Sequence, residues 1–91
     1  MKITVIIPAY NEISTIREIV DRVEKTALVD EILVVDDGST DGTREILTEL
    51  DQAGRIRAIF HEKNSGKGAA VRTGIQNASG RSEERRVGKE C

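Results

Sequence analysis

Aromatic rings, sulfur and proline are nearly missing from this chain. It holds one Phe, one Tyr, no Trp, one Cys and one Pro. The lone cysteine, Cys91, is the last residue, which excludes a disulfide framework and any cysteine-based zinc spacing. Nucleic-acid platforms need basic patches interleaved with stacking aromatics. Here the Lys and Arg residues are scattered and the formal net charge is −2, so no nucleic-acid partner is expected. No apolar run approaches the roughly 20 residues of a membrane-spanning helix. The apolar core at residues 3–7 is too short for a signal peptide, and a cytoplasmic location is the default expectation. Ninety-one residues leave room for one small domain that buries a modest share of its surface.

What the chain does have is β-branched apolar runs that end at polar turns. Ile32-Leu33-Val34-Val35 reads as a strand buried on both faces, as parallel strands are. It stops at Asp36 and Asp37, and the cluster Gly38-Ser39-Thr40-Asp41-Gly42 cannot extend it. A helix follows over residues 43–53, with Ile46, Leu47 and Leu50 on one side and Gly54 to end it. Two carboxylates thus stand at the carboxyl end of a buried strand, where open α/β sheets bind ligands. The competing reading makes Asp36, Asp37 and Asp41 turn formers and caps.

The same alternation occurs on either side. Residues 3–7 form a strand closed by Pro8, which cannot donate to a ladder. Asn11 is a candidate helix N-cap, and Ile13, Ile16, Ile19, Val20 and Val23 trace one face of the helix that follows. Residues 55–61 give a more polar strand suited to a sheet edge. Asn64-Ser65-Gly66-Lys67-Gly68 is a Gly-rich turn, and residues 69–78 a helix of small residues with Val71 and Ile75 at helical spacing. Three strand–helix units in succession predict a parallel sheet with right-handed crossovers. No fourth strand is expected after Gly80.

Residues 81–91, Arg-Ser-Glu-Glu-Arg-Arg-Val-Gly-Lys-Glu-Cys, change texture abruptly. They resemble a translated sequencing adaptor: the DNA string AGATCGGAAGAGC, read in frame, begins Arg-Ser-Glu-Glu. The expectation is an artefactual, disordered tail, to be left out of fold reasoning, behind an open reading frame cut after residue 80.

Three motifs in order then carry a family resemblance over residues 3–80. Val5-Ile6-Ile7-Pro8-Ala9-Tyr10-Asn11-Glu12, Val34-Val35-Asp36-Asp37-Gly38-Ser39-Thr40-Asp41-Gly42-Thr43 and Asn64-Ser65-Gly66-Lys67-Gly68-Ala69-Ala70-Val71-Arg72-Thr73-Gly74 resemble the family 2 glycosyltransferases. The third motif is most similar to the branch with dolichol- and polyprenyl-phosphate mannosyl- and glucosyltransferases. The resemblance implies a Rossmann-like GT-A sheet, truncated to three β–α units, and residues 1–80 as the nucleotide-sugar-binding half of the domain. It implies transfer of a sugar from a nucleotide-sugar donor to an acceptor, with a polyprenyl phosphate at the cytoplasmic membrane face as the acceptor of that branch.

By the same resemblance Pro8, Tyr10, Glu12, Val35 and Asp37 contact the donor nucleotide, and Ala9 lies within that motif. Tyr10 and Pro8 can wall a flat base, Asp37 can accept from a base N–H, and Glu12 from ribose hydroxyls. Each also has a structural reading: Pro8 ends a strand, Tyr10 packs half-buried, Glu12 is a first-turn helix acid. Lys67, between two glycines at a helix start, can add charge beside a phosphate. The family's divalent cation, Mg or Mn, has its Asp-x-Asp ligands beyond this chain, so no metal ligand and no catalytic residue is assigned and the piece alone is expected to be inactive. There is no Walker loop, since His61 stands where its first Gly is required and Gly68 where Ser or Thr follows the Lys. There is no Gly-x-Gly-x-x-Gly either. A phospho-acceptor domain would need a further Asp after a later strand, and none follows Asp51. The alternative that remains is a non-catalytic nucleotide-binding or structural α/β module. His61 reads as a polar residue at a strand end.

Overall fold

A computed structural model of the chain describes residues 3–26, 29–78 and 81–84. The elements run β1 (Ile3–Ala9), α1 (Ile16–Glu24), β2 (Glu31–Asp36), α2 (Thr43–Gln52), β3 (Arg57–Phe60), α3 (Lys67–Asn77) and β4 (Arg81–Glu84). The strands pair in parallel in the order β3-β2-β1-β4. The chain steps outward from β1 to β3, then crosses back to the far side of β1. The order therefore reverses between β1 and β4, and the carboxyl end of β1 borders the crevice where such sheets bind ligands.

Strand alternation divides β1 and β2 between two layers. Val5, Ile7, Ala9, Ile32 and Val34 form the main core with Ile16 and Val20 of α1 and Leu47 and Leu50 of α2. Ile6, Pro8, Leu33 and Val35, paired across the two strands, face the other way, toward α3. There Gly74 sits against Ile6: a Cβ on Gly74 would stand 2.4 Å from Ile6 Cγ2. The small-residue composition of α3 is what lets this helix lie directly on the sheet.

Five sequence expectations change. The first strand runs through Pro8 to Ala9, with Pro8 in register with Val35. Its β4 pairing ends at Ile6, so no described strand on that edge needs the missing Pro8 donor. The first helix begins at Ile16, not Ile13, with Thr15 as N-cap. Asn11 has φ 51, whereas an N-cap needs the β region. The third strand is shorter than expected, and it is indeed an edge strand. Its edge is partly blocked, because the Ala58 amide donates to Asp51 Oδ2 at 2.9 Å. Finally, residues 81–84, expected to be disordered, form β4 beside Ile3–Ile6. An extended backbone beside an open edge gains ladder bonds whatever its side chains. Residues 85–91 of the expected tail lie outside the described residues.

Candidate functional site

The two acids at the end of β2 diverge to opposite faces of the sheet, because consecutive strand residues alternate. Asp36 turns under the start of α2. Its Oδ2 accepts from the Ser39 amide at 3.1 Å and lies 3.7 Å from Arg44 Nε, while the Arg44 guanidinium sits 5.0 Å over the Phe60 ring. Asp36 Oδ1 is buried without a hydrogen-bond partner.

Asp37 turns toward α3. Its amide continues the sheet by donating to Ala9 O at 2.8 Å. Its carboxylate is fully buried and accepts from three donors across 24–29 residues of sequence. Oδ1 accepts from the Ser65 amide at 2.9 Å and lies 2.8 Å from His61 Nδ1; Oδ2 accepts from the Gly66 amide at 2.9 Å. Residues 63 and 64 press on the turn beside it, since a Cβ on Gly38 would lie 2.6 Å from the Asn64 nitrogen. A carboxylate of the protein itself thus occupies the Ser65 and Gly66 amides ahead of α3.

The loops after β1 and β2 are stitched together by four hydrogen bonds. The Asn11 amide donates to Ser39 Oγ and the Thr40 amide to Asn11 Oδ1, both at 2.8 Å. The Glu12 amide donates to Thr43 Oγ1 at 2.9 Å, and the Ile13 amide to Asp41 Oδ2 at 3.2 Å. Asp41 Oδ1 in turn accepts from both the amide and the hydroxyl of Thr43, at 3.0 and 2.6 Å. Burial alone would push the Asp41 carboxyl up, but the Thr43 and Ile13 hydrogen bonds outweigh it and hold it below the usual carboxylate range.

Most of the residues singled out in the sequence converge at this end of the sheet. Pro8 and Val35 are adjacent in register and buried, Ala9 pairs with Asp36, and Tyr10 is half-buried just beyond β1. Glu12 is 7% exposed, with Oε2 accepting from the Thr15 hydroxyl at 2.8 Å. Asp37 is close by but enclosed. Lys67 opens α3, half-buried. His61, read from the sequence only as a polar residue at a strand end, lies against Asp37. It directly follows β3, and the sign available was that adjacent parallel strands put their carboxyl ends side by side. A concavity of ≈ 340 Å³ lies among Glu24, Asp30, Glu31, Arg55 and Arg57 at the opposite end of the sheet, away from these residues. Its charges pair locally, Arg55 with Glu24 and Arg57 with Glu31.

A divalent cation does not fit the described residues. No three His, Cys, Asp or Glu among them are grouped to hold one, and Asp36 and Asp37 cannot chelate together from opposite faces. Among the described residues no helix is long and apolar enough to cross a membrane.

Known proteins are similar to this chain in sequence and in fold. The chain is 44% identical over 81 residues to an uncharacterized glycosyltransferase of Rickettsia felis, covering 88% of this chain and 13% of that protein. It is 40% identical over 82 residues to the dolichol-phosphate mannosyltransferase of Pyrococcus furiosus, covering 88% of this chain and 23% of that one. The mannosyltransferase PcManGT of Pyrobaculum calidifontis, solved with GDP-Man and Mn2+, superposes with a TM-score of 0.76 at 28% identity, over 86% of this chain and 24% of its own. The chain thus spans less than a quarter of each. Residues 4–82 match glycosyl transferase family 2, and the chain belongs to that family.

Proposed function

We propose that this chain is the donor-nucleotide-binding part of a glycosyltransferase that moves a sugar from a nucleotide-sugar donor to an acceptor. The observation that carries the reading is the pair of stitched loops at the carboxyl ends of β1 and β2, which brings Pro8, Ala9, Tyr10, Glu12, Val35 and Asp37 to one end of the sheet. Tyr10 and Pro8 wall the base, Glu12 takes ribose hydroxyls, and Asp37 takes a base N–H. A carboxylate offers about four acceptor positions, and Asp37 has three filled, so one remains on Oδ2. The base reaches it only if the loop over residues 62–66 yields. Lys67 stands at the phosphate side.

In the whole protein a divalent cation, Mg or Mn, neutralises the departing diphosphate; the Mn2+ in PcManGT supports this, and the ligands lie outside this chain. The P. furiosus relative supports a polyprenyl phosphate as acceptor and hence work at the cytoplasmic membrane face. Residues 81–91 are foreign sequence in this reading. Reading the genomic locus past codon 80 tests all of this. A buried strand ending in Asp-x-Asp about 10–15 residues on, one strand and its turn, is the expected continuation, and a dehydrogenase or phospho-acceptor pattern there refutes the reading.

The enclosure of Asp37 favours one second reading, a structural α/β module in which the acids only close loops. Calorimetry of the whole protein with UDP and GDP separates the two. Asp37→Ala should weaken binding by about 1.5–3 kcal/mol, the range for a charged hydrogen bond; unchanged affinity with lost stability supports the module.

A further inference from the structure

His61 is held at both ring nitrogens. Nδ1 lies 2.8 Å from Asp37 Oδ1 and Nε2 lies 2.9 Å from Thr73 Oγ1, with the His61 side chain 17% exposed and Asp37 fully buried. The carboxylate only accepts, so Nδ1 carries a proton, and in the neutral ring Nε2 accepts from the Thr73 hydroxyl. The three side chains come from the ends of β2 and β3 and from within α3. None of the three motifs assigns His61 a role, and a packing residue would not need both nitrogens matched.

We propose that His61 is a positioning residue for the Asp37 carboxylate, with Thr73 holding the far edge of its ring; this rests on the reading that Asp37 serves the donor base. The terminal torsion of an Asp is broad and roughly two-fold, so a carboxylate gripped only by backbone amides of a turn can swivel with that turn. His61 anchors Oδ1 to β3 instead, and thereby sets the direction of the acceptor position left on Oδ2. The carboxylate excludes the other tautomer, in which Nδ1 would face it without a proton, and Thr73, able to donate or accept, holds the far edge of the ring. A base N–H that engages Oδ2 must share it with the Gly66 amide, which makes that amide the reporter of the event.

The test uses the 91-residue chain in solution, with 15N NMR of the His ring and of the Ser65 and Gly66 amides, before and after adding UDP or GDP. His61→Asn places an amide N–H near the position of Nδ1; His61→Gln reaches toward the position of Nε2. The wild-type ring should show the Nδ1-protonated form, and Thr73→Val should keep it, since the carboxylate still demands a proton at Nδ1. His61→Asn should keep the wild-type Ser65 and Gly66 shifts and a nucleotide affinity within about threefold. His61→Gln should move both amides and lower affinity by about tenfold or more, the scale of one charged hydrogen bond. Loss of melting temperature alone would not distinguish the two variants, whereas this pattern does. An Nε2-protonated wild-type ring, or equal amide shifts in the two variants, overturns the proposal. If the wild type binds neither nucleotide, the donor-site reading fails for this chain, and the tautomer and amide comparison still decide the role of His61. If the variants do not fold, the wild-type tautomer decides it.

Discussion

Asp37→Asn and Asp36→Asn should differ sharply, although the residues are neighbours of the same type. An Asn side chain offers two acceptor positions and two donors. In Asp37→Asn, with the remaining oxygen toward His61 and Ser65, the new amide nitrogen would meet the Gly66 N–H, donor against donor. One charge-assisted hydrogen bond disappears, worth about 1.5–3 kcal/mol, and a buried donor goes unsatisfied at about 1–3 kcal/mol. The sum, about 2.5–6 kcal/mol, is a large part of the stability of a small domain, about 0.05–0.15 kcal/mol per residue. Asp36→Asn meets no such conflict. Its Oδ1 already lacks a partner, so an amide nitrogen there exchanges one orphaned buried atom for another while the oxygen keeps the Ser39 bond. What is lost is attraction to Arg44 at 3.7 Å, and that side chain is 40% exposed. After discounting for solvent screening this is under about 1 kcal/mol. Urea unfolding of the 91-residue chain, followed by circular dichroism, should show a large fall in midpoint for Asp37→Asn and a small one for Asp36→Asn. Equal or reversed losses would refute the assignment of the two acids to different roles.

Three further outcomes follow from the loops and edges. Gly38→Ala and Gly54→Ala both place a Cβ at positive φ, 81 and 77, at about 1–2 kcal/mol each. Only Gly38 also has backbone of residues 63 and 64 within 3 Å of that Cβ, so it should cost more in urea unfolding and shift the Gly66 amide; equal costs would refute the packing of that loop. Asp41 has a lowered folded-state pKa, so its contribution to stability is full above its unfolded value, about 3.9. It fades as pH falls through the folded value, and Asp41→Asn should flatten that acid limb in a pH series of melting temperatures. Deleting residues 81–91 should speed amide exchange along β1 and drive association in size-exclusion chromatography, because it bares the edge paired with β4. Unchanged exchange and a monomer would restore the original expectation of an inert tail.

The three strand–helix units were legible because each strand is an apolar run and α1 and α2 show a 3.6-residue stripe, whereas α3 buries Ala70 and Gly74 and exposes Ile75, which was read as part of its face. Their boundaries were less so, for reasons that lie in tertiary contacts. Asn11 looks like a helix cap, but the loop after β2 supplies Ser39 and Thr40 as its partners, and its left-handed backbone ends local cap logic. The position of the site was legible from the acids at the end of β2. The division of labour between those acids was not. Asp37 binds residues 24–29 positions away, and no periodicity encodes such distances. The motifs that carry the family resemblance are also the ones that close the loops. Asn11, Ser39, Asp41 and Thr43 are spent on hydrogen bonds between loops, so much of the motif text describes how the crevice is built.

The fourth strand shows how far residues 3–78 decide what comes next. Arg-Ser-Glu-Glu has little strand preference of its own, yet it pairs with Ile3–Ile6. Right-handed crossovers put α1 and α2 on one face while the chain steps outward from β1 to β3, and put α3 on the other face once it steps back. Gly74 lets α3 lie directly on Ile6, and α3 ends at Asn77, four residues before β4 begins. Whatever sequence occupies positions 81–84 is therefore delivered beside a buried strand whose N–H and C=O groups on that edge need partners. Backbone pairing is indifferent to side chains in a way that core packing is not. The order β3-β2-β1-β4 is thus set by the crossover geometry and by one glycine in α3, whether or not residues 81–91 are native.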